Sequence, residues 1–148
     1  MEYSDVVKNL APCGLDCARC ADYENGEIRQ LSSRLLQLLG NYKPLAKMKK
    51  EKIPAFECYP QFEEILSSFT CGSCSGCRGD HVKCPLSTCS AKTCHKENNV
   101  DFCFQCNEYP CDKQFSGRLR DRWRAINDRM KEIGAVEYYL EQLKQPRY

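Results

Sequence analysis

Thirteen cysteines lie within 148 residues, and their spacing restricts the fold more than any other feature of the chain. Cys17/Cys20, Cys71/Cys74, Cys74/Cys77 and Cys103/Cys106 are all CxxC pairs. A loop of that kind presents two thiolates to one tetrahedral ion. An odd count would leave one thiol over from a complete disulfide set. Residues 1–10 contain Asp5 and no unbroken apolar run, unlike a secretory leader. Metal ligation in a cytoplasmic protein is therefore expected, because disulfides do not persist in that compartment.

The length suits a single domain over residues 1–148. Eight Tyr, six Phe and one Trp exclude a disordered chain. The most apolar stretch, residues 35–39, is far short of the roughly 20 residues that a membrane span needs. A formal charge of +2 implies a polyanion partner only if a local patch supports it.

Three regions are expected. In residues 1–70, a first cysteine loop is followed by helix. Ile28, Leu31, Leu35 and Leu38 repeat at helical spacing, Leu36 and Leu39 widen that stripe, and Gly40 is placed to end it. Pro60 opens a second helix in which Phe62, Ile65, Leu66 and Phe69 share a face. Residues 43–52 hold five lysines against one glutamate, which reads as a solvated connection before it reads as an anion patch. Residues 71–111 carry nine cysteines and no sustained apolar period, so metal cross-links would have to replace a core there. In residues 112–148, Leu119, Trp123, Ile126, Met130 and Ile133 keep to one face, Gly134 breaks the run, and Val136, Tyr139, Leu140 and Leu143 form a last helix. The expected fold is mainly α: a small zinc-stabilised helical domain with irregular, cysteine-rich metal-binding loops.

Two zinc sites are expected. Cys74 and Cys77 flank Gly76 in a CSGC knuckle, and Cys84 and Cys89 can complete a set of four thiolates. All-thiolate tetrahedral ligation suits zinc or iron rather than magnesium or calcium. Cys71, Cys94, His81 and His95 are competing ligands nearby. The second site pairs Cys17 and Cys20 with Cys103 and Cys106, with Cys13 and Cys111 flanking it. Such a site would clamp the first helix region to the C-terminal helices. In the alternative, each triplet recruits a neighbour, such as Cys58 or Cys94, and the two stay apart. Cys58 itself reads as a small buried residue. An iron–sulfur cluster is the alternative cofactor. The CxxxCxxC spacing of Cys13, Cys17 and Cys20 is that of radical enzymes, but this chain is too short for their barrel. The Cys71/Cys74/Cys77 run followed by Cys84-Pro85 departs from the ferredoxin spacing in its last gap.

These motifs together resemble an uncharacterised prokaryotic family of cysteine-rich proteins taken to bind zinc and classed as a domain of unknown function. The matching pieces are CGLDCARCADY at 13–23, CSGC at 74–77, CPLSTC at 84–89, FCFQCNEYPCDK at 102–113 and RMKEIGAVEYYLEQLK at 129–144. The resemblance carries the metal role onto Cys13, Cys17, Cys20, Cys74, Cys77, Cys84, Cys89, Cys103, Cys106 and Cys111. The family's usual IR pair is missing from the segment matched to PLST, and Cys71 and Cys94 look like additions.

On function, no Ser–His–Asp grouping, Gly-rich phosphate loop or HExxH motif is present, and an enzyme is not expected. Four thiolates closing each site leave no open position for substrate, the mark of a structural zinc. The expectation is a zinc-stabilised module that binds another macromolecule, a protein first. Nucleic-acid binding through residues 43–52 and 118–129 is weaker, because two four-thiolate zinc sites turn the formal +2 into −2. A third reading is thiol redox or metal handling by a surplus cysteine among Cys13, Cys71, Cys94 and Cys111.

Overall fold

Apolar periodicity becomes helix wherever it is long enough. In the computed structural model, which describes residues 1–84 and 89–148, the order is α1 Tyr3–Asn9, α2 Glu27–Leu39, α3 Lys43–Lys49, α4 Tyr59–Thr70, α5 Ala91–Glu97, α6 Gly117–Ile133 and α7 Ala135–Leu143. Single 3-10 turns occupy Pro54–Cys58 and Cys103–Gln105. The described residues contain isolated β-bridges but no strand, so the chain is mainly α. The interior of the CPLSTC motif, residues 85–88, lies outside the described residues. Among the described residues no helix is long and apolar enough to cross a membrane.

Two packing units result. Val6 and Leu10 from the α1 end, Phe102, Met130 of α6, and Ala135, Tyr138 and Tyr139 of α7 form the main apolar core. A second cluster of Ala11, Cys13, Ala91 and Trp123 lies under the cysteine loops, with Cys17, Cys77, Cys89, Cys103 and Cys111 packed around it. The α2–α4 hairpin stands beside them. Arg29 of α2 joins the two helices through the Thr70 carbonyl at the end of α4, and it also donates to the Glu24 carbonyl just before α2.

Several sequence expectations change. α1 precedes the first cysteine loop and was not signalled by periodicity, because seven residues show too little of a stripe. Residues 43–49, expected as a solvated connection, are helical as α3 and keep their lysines exposed; Lys43 pairs with Glu63 at 2.7 Å and Lys49 lies over the rings of Tyr42 and Phe56. Part of residues 71–111 is helical, as α5. Leu31, Leu35 and Leu38 are exposed, as are Phe62, Ile65 and Phe69, whereas Ser32 and Leu66 are buried. A helix in a two-helix hairpin buries only one narrow stripe, so the wider apolar faces of α2 and α4 are left outside. Leu119 and Leu143 are also exposed.

Candidate metal centre

The first cysteine loop folds back on the end of α1. Cys17 and Ala18 both donate their N–H groups to the Asn9 carbonyl, at 2.9 and 3.2 Å, and Ala11 N–H donates to Leu15 O at 2.8 Å. Gly14 makes this turn at φ +86°, and a Cβ there would run into Ile126 Cγ2 and Met130 Cε. The glycine of CGLDC is thus required twice, by its dihedral and by its contact with α6. The next turn, closed by Cys20 N–H to Cys17 O at 3.1 Å, forms the first knuckle. C-terminal residues brace it. Arg19 binds Asp16 at 2.5 Å and donates to the carbonyls of Gln145 and Gln142 at 2.8 and 2.7 Å. Arg147 donates to Asp16 O at 2.8 Å, and the Tyr148 hydroxyl accepts from Ala21 N–H at 2.9 Å and donates to Cys20 Sγ at 3.5 Å.

The CSGC knuckle faces it. Lys83 N–H donates to Cys74 Sγ at 3.4 Å, and Ser75 and His81 bond each other twice. Cys74 N–H donates to Asp22 O at 2.9 Å and Glu24 N–H to Cys74 O at 3.0 Å, making a parallel bridge between Tyr23 and Cys74. A Cβ on Gly76 would lie 3.8 Å from Cys17 Cβ, so the two knuckles approach closely. Their Cys17 and Cys77 thiols are neighbours. The Cys77 thiol beside it pushes Cys17 down to about 7, while the same partnership and burial push Cys77 up.

The late cysteines gather elsewhere. Cys106 N–H donates to Cys103 O at 3.1 Å and Tyr109 N–H to Cys106 O at 3.0 Å. A small cleft is lined by Cys94 and His95 of α5, by Cys103, Cys106 and Cys111, and by Trp123 of α6. Burial pushes the Cys103 thiol up to about 11 despite the nearby Trp123 indole. The link from this loop to the first one runs through Cys13. Cys103 N–H donates to Pro12 O at 2.9 Å. The fully buried Asn127 side chain donates to Cys13 O at 3.0 Å and accepts from Phe104 N–H at 3.1 Å.

The ten candidate ligands are therefore distributed along a band. The structure brings the Cys17/Cys20 knuckle against Cys74/Cys77, and Cys13 toward Cys103. Cys89 packs in the cluster with Cys13 and Trp123, its thiol 4.0 Å from Gln114 Oε1, and Cys84 is half-buried. Cys58 is exposed, not buried as its sequence setting suggested, and Cys71 is exposed too. All thirteen thiols are free. Among the described residues, no three Cys, His, Asp or Glu side chains already stand closely enough around one point to hold an ion. The backbone thus brings the knuckles together, while ligation would require the sulfurs to turn inward about χ1 between staggered wells. On spacing alone, Cys94 is both a competing ligand of the middle site and a neighbour that the late triplet could recruit, His95 is only a competitor, and Trp123 is core. The available signal was that Cys103, Cys106 and Cys111 are one ligand short, with Cys94 the nearest cysteine upstream.

A family model described as "Protein of unknown function (DUF3795)" matches residues 9–116. No curated protein and no solved structure matches the chain.

Proposed function

The chain belongs to the DUF3795 family, and because that family carries no assigned function we propose one from the residues: a zinc-binding protein whose metal is structural and whose helical surface serves a protein partner. The observation that carries this reading is the face-to-face approach of two CxxC knuckles through the Tyr23–Cys74 bridge. The donor chemistry fits zinc, since free thiols in opposed knuckles supply a tetrahedral sulfur set. Cys17, Cys20, Cys74 and Cys77 are the ligands this geometry favours for one ion. Cys84 stands next in line beside Cys77, in place of the Cys74, Cys77, Cys84 and Cys89 set that spacing suggested. Four thiolates would saturate the ion, so its task is to lock loops rather than to activate water. Lys43 and Lys49 are engaged within their own hairpin, which weakens the nucleic-acid reading. The exposed Leu31, Leu35 and Leu38 suit a protein partner better.

The test is elemental analysis of the full chain purified without added metal, together with its visible spectrum. Zinc in a colourless solution is expected, with about one ion lost in Cys77→Ser because ligation energy is folding energy in such loops. A brown, iron-containing protein, or full zinc occupancy in Cys77→Ser, would overturn the reading.

A further inference from the structure

We propose that the cleft between α5, the 103–111 loop and α6 is a second metal centre, in which the thiolates of Cys94, Cys103, Cys106 and Cys111 hold one zinc-class cation. The proposal rests on the thiolate–zinc reading above and sets Cys94, instead of Cys17 and Cys20, beside the late triplet, choosing between alternatives that spacing left open. Three chain segments deliver sulfurs to this one cleft: α5 brings Cys94, the 3-10 turn brings Cys103 with Cys106 next to it, and Cys111 follows.

The independent observation is what else lines the cleft. Among the described residues three buried side-chain polar atoms lack a hydrogen-bond partner, and two of them, His95 Nε2 and Trp123 Nε1, belong to residues lining this cleft. Trp123 is only 3% exposed. Its indole nitrogen is a donor and nothing else. For His95, an Arg78 guanidinium nitrogen lies 3.4 Å from Nδ1. A guanidinium has no acceptor, so Nδ1 must accept, and the proton of the neutral ring is then on Nε2. The cleft therefore holds one N–H group that lacks an acceptor, His95 Nε2, and a second, the Trp123 indole, that faces the Cys103 thiol, a weak acceptor. Leaving a buried donor unpaired is unfavourable. A metal-bound thiolate remains a negatively charged acceptor and can take both N–H groups, as outer partners commonly do around metal ligands. His95 is thereby assigned as a positioning donor, with the four sulfurs as ligands. Tyr109 and Phe115 flank the Trp123 ring, with centroids at 5.2 and 6.5 Å, and shield that side from water.

Trp123 is the sole tryptophan, which makes the centre separately observable. Metal-free full-length chain is titrated with Co2+ and, in parallel, with Zn2+. Co2+ should quench the Trp123 fluorescence in the wild type and in Cys20→Ser, which removes only a knuckle ligand. The quench and one bound ion should be lost in Cys94→Ser. A measurement without variants uses the single indole N–H resonance, which Zn2+ should shift and protect from solvent exchange. Full metal content with an unchanged quench in Cys94→Ser, or an indole resonance unmoved through the zinc titration, overturns this centre. An ion lost in Cys20→Ser but kept in Cys94→Ser overturns it while sparing the knuckle centre. A wild type that binds no metal overturns both.

Discussion

Asn127→Ala measures how firmly the cysteine loops are fastened to α6. The Asn127 amide donates to Cys13 O at 3.0 Å and Trp123 O at 2.9 Å, and its carbonyl accepts from Phe104 N–H at 3.1 Å. Trp123 lies four residues earlier on the same helix, so its carbonyl keeps a helical partner when the side chain is removed. The Cys13 carbonyl and Phe104 N–H have no such reserve. Each buried polar group left without a partner costs about 1–3 kcal/mol. The better helix propensity of alanine returns up to about 0.7 kcal/mol. The expected loss is about 2–5 kcal/mol, a large share of the roughly 5–15 kcal/mol that stabilises an ordinary domain. Asn127→Asp retains the acceptor for Phe104 but sets a buried negative charge against the Cys13 carbonyl, so it should cost at least as much. The assay is urea unfolding at fixed metal concentration, followed by helical circular dichroism. A variant within about 0.5 kcal/mol of wild type would refute the claim that this side chain joins the two loops, because that is the range of surface substitutions.

Gly14→Ala should destabilise by about 2–4 kcal/mol in the same assay, since it adds a clash with Ile126 and Met130 to a positive φ; a neutral result would show that the turn is misjudged. Arg78 donates to Leu10 O at 3.2 Å and to Asp101 O, faces His95 and lies over Phe102. Arg78→Lys keeps the charge without the fork and should cost about 1–3 kcal/mol, whereas an unchanged urea midpoint would mean that charge alone suffices. In metal-free reduced protein, Cys17 should be alkylated with a pH midpoint near 7, because its folded pKa lies below that of an ordinary thiol. Thiolate is then present above that pH and lost as pH falls through it. Cys77→Ala, which removes the donor, should return Cys17 toward about 8.5, the value of an unperturbed thiol, and a midpoint near 8.5 in the parent protein would refute the Cys17–Cys77 contact.

Local pattern made some of this legible and long-range geometry hid the rest. Helices α2, α4, α6 and α7 follow from apolar spacing, and Gly40 and Gly134 mark two of their ends. The buried face of α2 did not follow, because Leu31, Leu35 and Leu36 are equally apolar and only the position of α4 selects among them. CxxC spacing identified the knuckles but carried no information on their pairing. That depends on residues 21–24 lying beside Cys74, a contact with no signature in either segment. Asn127 reads as one more polar residue on a charged helix until its three partners are known. Likewise, the unpaired nitrogens of His95 and Trp123 exist only once α5 and α6 are packed around the cleft.

The bracing of the first cysteine loop bears on the timing of synthesis. Arg19 and Asp16 bind backbone groups and side chains that lie 123 to 131 residues further along the chain. At a synthesis rate of about 5–20 residues per second, those partners emerge roughly 6–25 s after the loop itself. During that interval Cys13, Cys17 and Cys20 are made but not yet braced. The facing knuckle at Cys74/Cys77 is also absent for the first part of it. If the proposed zinc binds there, an ion captured early would meet an incomplete thiolate set and exchange readily, and durable loading would come late, after α7 has docked.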